Sequence, residues 1–437
     1  MLIVTDQYEP MIGGVPTVTR ELAAGLSERG HAVAVLAPSP TRHGGDPLPG
    51  PGVAGQVAVD FRGSVPWPWY EGQRLGLLPR PRARALMAGF APDVVHVHSP
   101  LTLGAAARSA ARRRRVPVVY TNHYLPLNVW PATARHLPVR GCGQAGNGQE
   151  RTAAAGPVQR ARDAAFYACV TGFANRCDHV TAPTATALRL LRGHGLRVPS
   201  EAVSNGVDLG RFSPGARDAA LRARHGLPAG CPVVLAVGRL SPEKRADVLI
   251  AAMARLAPAG GGENAADGAP VLVLAGAGPE ERRLRSLAAH YGVAERVRFL
   301  GFVPDADLPG LYRLADVFAI ASQAELQSLA TMAAMASGLP VVAADAGALG
   351  ELVHAGENGF LARPGRPGEF ADCLALLCRD ATLRGRMSKA SARIIGEHDR
   401  HRVLARWESI YRALARPGAC ETPQAGRARG AAAEKNG

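Results

Sequence analysis

The amino-acid sequence predicts an α/β protein with two doubly wound domains, each built on a parallel sheet that carries helices on both faces. The chain has 437 residues, about twice the length that one hydrophobic core usually serves. Short apolar runs alternate with amphipathic helical stretches along most of the chain, which is typical of parallel sheets. The alternation stops at Phe-Ser-Pro-Gly, residues 212–215, and then starts again. We therefore predict one domain at residues 1–212 and a second at residues 213–415.

The first predicted domain contains five apolar runs of the length of a buried strand. They are residues 1–5, 31–37, 94–97, 116–121 and 179–182. Amphipathic stretches at residues 18–28 and 101–113 have the spacing of helices that connect such strands. A doubly wound sheet binds ligands at the carboxyl ends of its strands, so the residues that follow each run are candidate functional residues.

The second predicted domain repeats this pattern. Its strands are residues 233–237, 271–275, 297–300, 317–320 and 341–344, and its helices are residues 246–256, 279–290, 308–314 and 328–336. Glycine-rich stretches at residues 139–156 and 258–270 predict loops. Residues 416–437 are rich in Pro, Gly, Ala and charge, which predicts a disordered tail. Two such domains would face a cleft, where we expect the ligand site.

The chain is strongly basic. Its 51 basic and 36 acidic residues give a formal charge of +15, an excess common in proteins that bind nucleic acids or anionic surfaces. Only Lys244, Lys389 and Lys435 are lysines, and Arg112–Arg115 is the one real basic run. The near-absence of lysine indicates a G+C-rich genome as much as selection for basic patches, which weakens the case for nucleic-acid binding. It leaves a solvated surface, or attraction to an anionic membrane or ligand, as the interpretations.

Composition excludes several other classes of protein. The seven cysteines are scattered and form no Cys-x-x-Cys pair, so we predict neither a disulfide framework nor a zinc site. The 47% apolar and 20% charged residues exclude disorder of the whole chain. No leader peptide is recognisable, and the longest charge-free run among the apolar segments, residues 326–344, contains Gly338 and Pro340. We therefore expect a cytoplasmic protein, able to associate with a membrane at its surface.

Glycines and histidines mark the candidate site in the first domain. Gly13 and Gly14 precede a helix, where a glycine pair either lets amides approach a ligand or forms an ordinary tight turn. His96 and His98 alternate on a strand and would face the same side, but no third residue at metal-ligand spacing accompanies them. His123 follows the strand at 116–121, and a ligand contact and a core histidine are both open interpretations.

Two cations follow the first strand of the second domain. Arg239 and Lys244 suit a diphosphate, whose negative charge increases as it departs. Lys244 is the only lysine in the first 388 residues, which indicates a need for a compact ammonium group. The Gly-x-Gly at 276–278 lacks the rest of a dinucleotide fingerprint. Neither a P-loop nor a Gly-x-Ser-x-Gly motif occurs, which argues against an ATPase and excludes nucleophile-elbow hydrolases.

The segment at residues 321–340 carries the strongest signal. Glu325 lies in a loop before a helix of small residues, and the first amides of that helix, near Ser328 and Leu329, would be free to bind phosphate. Glu325 would then face the sugar of a nucleotide sugar. The alternative is a buried helix with Glu325 as the partner of its dipole.

These residues resemble glycosyltransferase family 4, a large group of retaining enzymes with the two-domain GT-B fold. The resemblance rests on a series of motifs in a fixed order, which is specific although each motif alone is weak. The motifs are Gly13-Gly14, Gly-His-Ala-Val at 30–33, Pro-Asp-Val-Val-His-Val-His at 92–98, Ser-Asn-Gly-Val-Asp at 204–208, Arg-Phe-Ser-Pro at 211–214, Val-Gly-Arg-Leu at 237–240, Glu-Lys at 243–244, Gly-Phe-Val at 301–303, the segment around Glu325, and Gly-Glu-Asn-Gly-Phe at 356–360.

The resemblance implies how a diphosphate would be held. Arg239 and Lys244 would clamp the donor diphosphate, and Ser328 and Leu329 would offer it backbone amides. Because these groups supply the positive charge, the resemblance implies a site that needs no metal and no cofactor.

The resemblance also implies contacts to the sugar and the base. Val303 would contact the base through its backbone, and Glu325 would hold sugar hydroxyls. Gly14 would lie near donor and acceptor, and His123 would contact the donor sugar near the anomeric centre.

The implied activity is retaining transfer of a hexose or N-acetylhexosamine from a nucleotide diphosphate sugar, which we predict to be UDP-linked. The acceptor would be a hydroxyl of a lipid, pseudosugar, antibiotic aglycone or glycan. The first domain would bind the acceptor and the second domain the nucleotide sugar.

One position departs from the family pattern. A second glutamate usually follows the first by eight residues, and here that position is Ala333. Eight helical residues span about 12 Å, roughly the distance from the donor sugar to the ribose. The missing carboxylate therefore affects donor affinity rather than the chemistry. It also motivates an alternative, a catalytically degenerate protein that only binds nucleotide sugars.

Overall fold

The computed structural model describes residues 1–9, 11–38, 57–67, 74–77, 79–126, 157–256 and 268–415. The predicted loop at 139–156, most of the predicted loop at 258–270 and the predicted tail at 416–437 lie outside these residues. Each helix within the described ranges is too short or too polar to cross a bilayer.

In the described residues of the first domain, seven parallel strands form one sheet. In chain order they are β1 (Leu2–Val4), β2 (Val33–Pro38), β3 (Val57–Arg62), β6 (Val95–Val97), β7 (Val118–Thr121), β8 (His179–Ala182) and β9 (Ser200–Ala202), while β4 (Ser64–Pro66) and β5 (Arg74–Gly76) pair as an antiparallel hairpin. Across the sheet the order is β3-β2-β1-β6-β7-β8-β9. This order reverses direction between β1 and β6, a position where ligands bind in doubly wound sheets.

Within the described residues of the first domain, five helices pack against this sheet. They are α1 (Gly14–Glu28), α2 (Pro79–Gly89), α3 (Thr102–Arg114), α4 (Pro157–Ala174) and α5 (Ala185–Gly193). Apolar residues of α2, α3, α4 and α5 share one core with one side of the strands. Those of α1 share a separate core with the opposite side. The two cores follow from the alternation of side chains along each strand.

The second domain has a parallel sheet of six strands. The strands are β10 (Val233–Val237), β11 (Val271–Ala275), β12 (Val297–Gly301), β13 (Val317–Ile320), β14 (Val341–Ala344) and β15 (Gly359–Ala362), in the order β12-β11-β10-β13-β14-β15. The helices are α6 (Ala219–Arg224), α7 (Ala246–Met253), α8 (Glu281–His290), α9 (Leu308–Leu314), α10 (Leu329–Ala336), α11 (Pro367–Arg379), α12 (Ala381–Ile395) and α13 (Arg400–Leu414).

The structure confirms the predicted fold class. All ten predicted strands are present, with ends that differ by two residues at most. Strands β3, β4, β5, β9 and β15 were not predicted. Strand β15 begins at Gly359, where a Cβ atom would lie 1.9 Å from the carbonyl oxygen of Val341 on β14. Helix α1 begins at Gly14, four residues earlier than predicted, because the carbonyl of Gly13 accepts the first helical hydrogen bond from Thr17 at 3.2 Å.

The last helix crosses back to the first domain. Trp407 and Tyr411 on α13 are buried in the same core as α1. Glu408 accepts hydrogen bonds from the guanidinium of Arg29 at 3.0 Å and lies 2.9 Å from His31 Nε2. These partners lower the pKa of Glu408 to about 2, with Arg29 the larger cause. The predicted division at residue 212 stays a prediction, and α13 shows that the end of the chain packs against the first sheet.

Candidate active site

A cavity of about 1500 Å³ lies between the carboxyl ends of the two sheets. The first domain lines it with the loop before α1 and with residues that follow β6, β7 and β9. The second domain lines it with residues that follow β10, β11, β12 and β13. The cavity lining includes all eight predicted site residues, namely Gly14, His123, Arg239, Lys244, Val303, Glu325, Ser328 and Leu329.

Lys244 and Glu325 form an ion pair on the wall that the second domain provides. Lys244 Nζ donates a hydrogen bond to Glu325 Oε1 at 2.6 Å. The lysine side chain is 32% exposed and the glutamate side chain 8%. Lys244 ends the single 3₁₀ turn Pro242–Lys244 that follows β10. The predicted diphosphate cation and the predicted sugar-binding carboxylate are therefore in direct contact, although 81 residues separate them.

The backbone of residues 347–348 packs against the loop that carries Glu325. The amide of Ala348 donates to the carbonyl of Glu325 at 3.0 Å. A Cβ atom at Gly347, which has φ +58°, would lie 2.6 Å from that same carbonyl. Only glycine permits this approach at a left-handed backbone position. This packing holds the Glu325 carboxylate at a defined place on the wall of the cavity.

The Gly-x-Gly after β11 has a packing role. A Cβ atom at Gly276 would lie 1.9 Å from the carbonyl oxygen of Gly238, and one at Gly278 would lie 2.3 Å from that of Leu240. The amide of Leu240 donates to the carbonyl of Ala277 at 3.0 Å. The two glycines therefore let the loop after β11 pack backbone to backbone against the loop that carries Arg239.

Helix α10 points its N-terminus into the cavity. Ser328 is its N-cap, and the Ser328 hydroxyl accepts a hydrogen bond from the amide of Thr331 at 3.2 Å. The hydroxyl is thus used in capping. The amides of Ser328, Leu329 and Ala330 precede the first intrahelical hydrogen bond, so they are the groups suited to an anion, and the helix dipole adds to this preference.

Three histidines lie at the carboxyl edge of the first sheet. The rings of His96 and His98 are 4.0 Å apart, on one side as predicted. His96 Nδ1 lies 2.8 Å from the hydroxyl of Tyr411, and His96 Nε2 lies 2.7 Å from Thr121 Oγ1. His98 Nδ1 lies 2.9 Å from His123 Nε2. In the described part of the chain, no cluster of three or more residues is arranged to hold a metal ion.

Burial keeps these imidazoles neutral. Desolvation lowers the pKa of His123 to about 4. It also lowers the pKa values of His96 and His98 well below their ordinary range, with the neighbouring histidines as smaller causes. At neutral pH the side chain of His123 is therefore an uncharged imidazole.

The part of the cavity that Val303 lines is a place where the two domains contact each other. Val303 lies in the loop after β12, and Asp305 in the same loop lies 3.1 Å from the guanidinium of Arg20 on α1. Ala333, on α10, also lines the cavity and is 5% exposed. A side chain longer than alanine at residue 333 would therefore enter the cavity or the packed side of α10.

The sequence did not predict the hydrogen bonds between the Glu325 loop and the first domain. Gln327 Oε1 accepts from the amide of Asn205 at 2.7 Å, and Gln327 Nε2 donates to Ser204 Oγ at 3.1 Å. Thr184 Oγ1 donates to the carbonyl of Leu326 at 2.9 Å. The sequence identifies both motifs, at 204–208 and 325–328, but no spacing rule pairs segments more than 100 residues apart.

Two family models together match most of the chain. Residues 12–211 match the model described as "Glycosyltransferase Family 4", and residues 218–393 match the model described as "Glycosyl transferases group 1".

Curated relatives support the same family. The chain is 34% identical over 342 residues to a D-inositol 3-phosphate glycosyltransferase of Nocardia farcinica. The aligned region covers 77% of this chain and 69% of the relative. It is 32% identical over 361 residues to a GDP-mannose-dependent alpha-mannosyltransferase of Mycolicibacterium smegmatis. This aligned region covers 82% of this chain and 83% of the relative.

Solved structures show the same fold at lower identity. The Anabaena protein HepE in complex with UDP-glucose has a TM-score of 0.69 and 22% identity, covering 94% of this chain and 100% of that one. WaaG, a glycosyltransferase involved in lipopolysaccharide biosynthesis, has a TM-score of 0.65 and 15% identity, covering 94% of this chain and 99% of that one. Taken with the motifs in order and the cleft between two parallel sheets, these matches place the chain in glycosyltransferase family 4, as a retaining glycosyltransferase with the GT-B fold.

Proposed function

We propose that the chain transfers a hexose or N-acetylhexosamine from a UDP-linked sugar to an acceptor hydroxyl, with the acceptor on the first domain and the donor on the second. The observation that carries this proposal is the meeting of Lys244, Glu325 and the N-terminus of α10 on one wall of the cavity. A cation and backbone amides suit the diphosphate, and a carboxylate beside them suits sugar hydroxyls.

The proposed reaction breaks the bond between the anomeric carbon and the diphosphate oxygen and forms one to the acceptor oxygen on the same face. The acceptor proton passes to the departing diphosphate, so the first domain need not supply a general base. Arg239, Lys244 and the amides of Ser328 and Leu329 stabilise the charge that develops on that group. No metal or cofactor is needed in this scheme, because these groups carry the positive charge.

The remaining residues position the sugar and the base. Val303 contacts the base through its backbone, and Glu325 holds sugar hydroxyls. His123 contacts the sugar near the anomeric centre from the opposite wall, and Gly14 leaves room where donor and acceptor meet. The acceptor hydroxyl belongs to a lipid, pseudosugar, antibiotic aglycone or glycan. The D-inositol 3-phosphate glycosyltransferase relatives favour a pseudosugar within this set.

Nucleotide release from alternative donors tests the proposal. UDP-glucose, UDP-N-acetylglucosamine and GDP-mannose are each incubated with the chain, with and without candidate acceptors, and the freed UDP or GDP is measured. We expect turnover with a UDP-sugar that increases with an acceptor. Turnover with GDP-mannose alone would contradict the UDP assignment, since the mannosyltransferase relatives use that donor. Tight binding of every donor without turnover would support the degenerate alternative.

We expect Ala333→Glu to tighten donor binding by up to about tenfold. A hydrogen bond to a charged group contributes about 1.5–3 kcal/mol, and a carboxylate there would reach the ribose hydroxyls. Because the ground state and the transition state share this contact, the KM for the donor should fall while kcat stays nearly constant. Calorimetric titration of both proteins measures the change. Weaker binding with a lower Tm would mean that the packing around residue 333 has adapted to alanine.

A peripheral membrane contact is also part of the proposal. Eight exposed arginines on or beside α2, α3 and α4 have no ion pair with any described residue: Arg80, Arg84, Arg112, Arg113, Arg114, Arg115, Arg162 and Arg176. On the opposite side of the sheet, around α1 and α13, arginines pair with carboxylates: Arg20, Arg29, Arg400, Arg402, Arg406 and Arg412. The unpaired side suits an anionic lipid surface.

Vesicle binding tests this contact. Arg113→Ser should lower affinity for vesicles that contain phosphatidylglycerol by about fivefold, since one arginine near such a surface contributes about 1 kcal/mol. Arg402→Ser on α13 is the matched control and should have little effect. Equal binding of the native chain to neutral and anionic vesicles would overturn the contact.

A further inference from the structure

The buried His98 and the half-buried His123 meet edge to edge in the wall of the cavity, and only His123 belongs to the proposed site. His98 follows β6 and His123 follows β7, and these strands are neighbours in the sheet. His98 Nδ1 lies 2.9 Å from His123 Nε2, and the two rings are almost parallel, at 11°. His98 is 1% exposed. The proposed mechanism gives it no task.

A hydrogen bond between two neutral imidazoles fixes both tautomers. Each ring carries one N–H, so one ring must donate and the other must accept. If His123 donates from Nε2, then His98 carries its own proton on Nε2. If His98 donates from Nδ1, then His123 carries its proton on Nδ1. The structure distinguishes these arrangements through the other nitrogen of His98.

His98 Nε2 is buried and has no hydrogen-bond partner among the described residues. A proton on this atom would be an orphaned buried N–H group, which is rare in native proteins. A bare lone pair there leaves no donor unsatisfied. His98 therefore donates from Nδ1, and His123 keeps its proton on Nδ1, for which no protein partner is found within the described ranges.

We propose that His98 is a positioning residue that holds His123 in the Nδ1–H tautomer, so that His123 presents a neutral N–H group to the donor sugar. This inference rests on the proposed function of His123. Positive charge builds at the anomeric carbon as a glycosyl bond breaks, and an imidazolium beside that carbon would oppose it. An uncharged donor can still bind a sugar oxygen without this repulsion.

Nitrogen-15 spectra of the histidine side chains test the tautomer directly. In the native chain, with the His123 signals assigned from their loss in His123→Ala, we expect the proton on Nδ1. In His98→Leu, which removes the donor, we expect His123 to shift toward the Nε2–H form. His98→Asn keeps an N–H near the position of Nδ1 and should preserve the native tautomer. His96→Leu is the matched control, because His96 is equally buried but bonds to Tyr411 and Thr121.

Kinetics with UDP-glucose as probe provide the second arm. We expect His98→Leu to lower kcat about tenfold. This is the lower end of the loss seen when a metal-ligating histidine loses the hydrogen-bond partner that orients it. The KM should stay within about twofold, and His98→Asn should recover most of the rate. In a His123→Ala background, His98→Leu should change the rate less than twofold, because the two residues act as one unit.

The two arms separate this inference from the proposed function. A native spectrum with the His123 proton on Nε2, or an unchanged tautomer in His98→Leu, overturns the inference whether or not sugar is transferred. Because the native spectrum needs no variant, the test holds even if His98→Leu does not fold. The expected tautomers together with native rates in His98→Leu and His123→Ala would overturn the contact of His123 with the sugar instead.

Discussion

Lys244→Ala is expected to lower kcat by about 30- to 1,000-fold without loss of the fold. Negative charge grows on the departing diphosphate, so the contact from the ammonium group strengthens in the transition state. Loss of such a contact removes about 2–4 kcal/mol of transition-state stabilisation. Nucleotide release at saturating donor measures the change in kcat, and circular dichroism reports on the fold.

Lys389→Ala provides the matched control. Lys389 is the only other lysine among the described residues, and it is exposed on α12. Its removal changes the net charge by the same amount and should leave kcat unchanged. Lys244→Arg should recover only part of the rate, because a planar guanidinium does not fit where a compact ammonium group binds. Native kcat in Lys244→Ala would remove Lys244 from the proposed mechanism.

The sheet architecture could be predicted because local patterns determine it. Buried parallel strands are short apolar runs, and strands such as β10, β11 and β14 were located to the residue. Positions at strand ends also follow from the local pattern, so Arg239, Lys244 and His123 could be expected in one cleft. These predictions required only the order of strands and helices and the rule that ligands bind at the carboxyl ends of parallel strands.

Contacts between distant segments could not be predicted in this way. The return of α13 depends on Trp407 and Tyr411 meeting a core formed by α1, and an amphipathic helix does not specify which sheet it will cover. The bond from His98 to His123 likewise needs the β6–β7 pairing to be known. Gly276 and Gly278 looked like half of a nucleotide motif, but their environment shows that they allow close loop packing.

The ion pair between Lys244 and Glu325 means that the donor contacts of the two residues depend on each other. Each was predicted to contact a different part of the donor, yet they contact each other at 2.6 Å. A bound diphosphate would therefore compete with Glu325 for the ammonium group, while sugar hydroxyls would donate to the carboxylate. The two residues should differ in their effect on UDP, which has the diphosphate but lacks the sugar.

Glu325→Gln is expected to lower kcat/KM by roughly 30- to 150-fold, because hydrogen bonds from sugar hydroxyls to a carboxylate are stronger than those to an amide, by about 2–3 kcal/mol in total. Binding of UDP alone should become severalfold tighter, since Lys244 no longer shares its charge with a carboxylate. Lys244→Ala should instead weaken UDP binding, so calorimetry with UDP separates the two roles.

Glu243→Gln is the matched control for Glu325→Gln, because Glu243 lines the same cavity but accepts a hydrogen bond from the Ser241 hydroxyl at 2.5 Å. Its kcat/KM should stay within about threefold of the native value. If Glu325→Gln weakened UDP binding as much as it lowered kcat/KM, Glu325 would act on the nucleotide or on the fold of the loop, and its assignment to the sugar would be wrong.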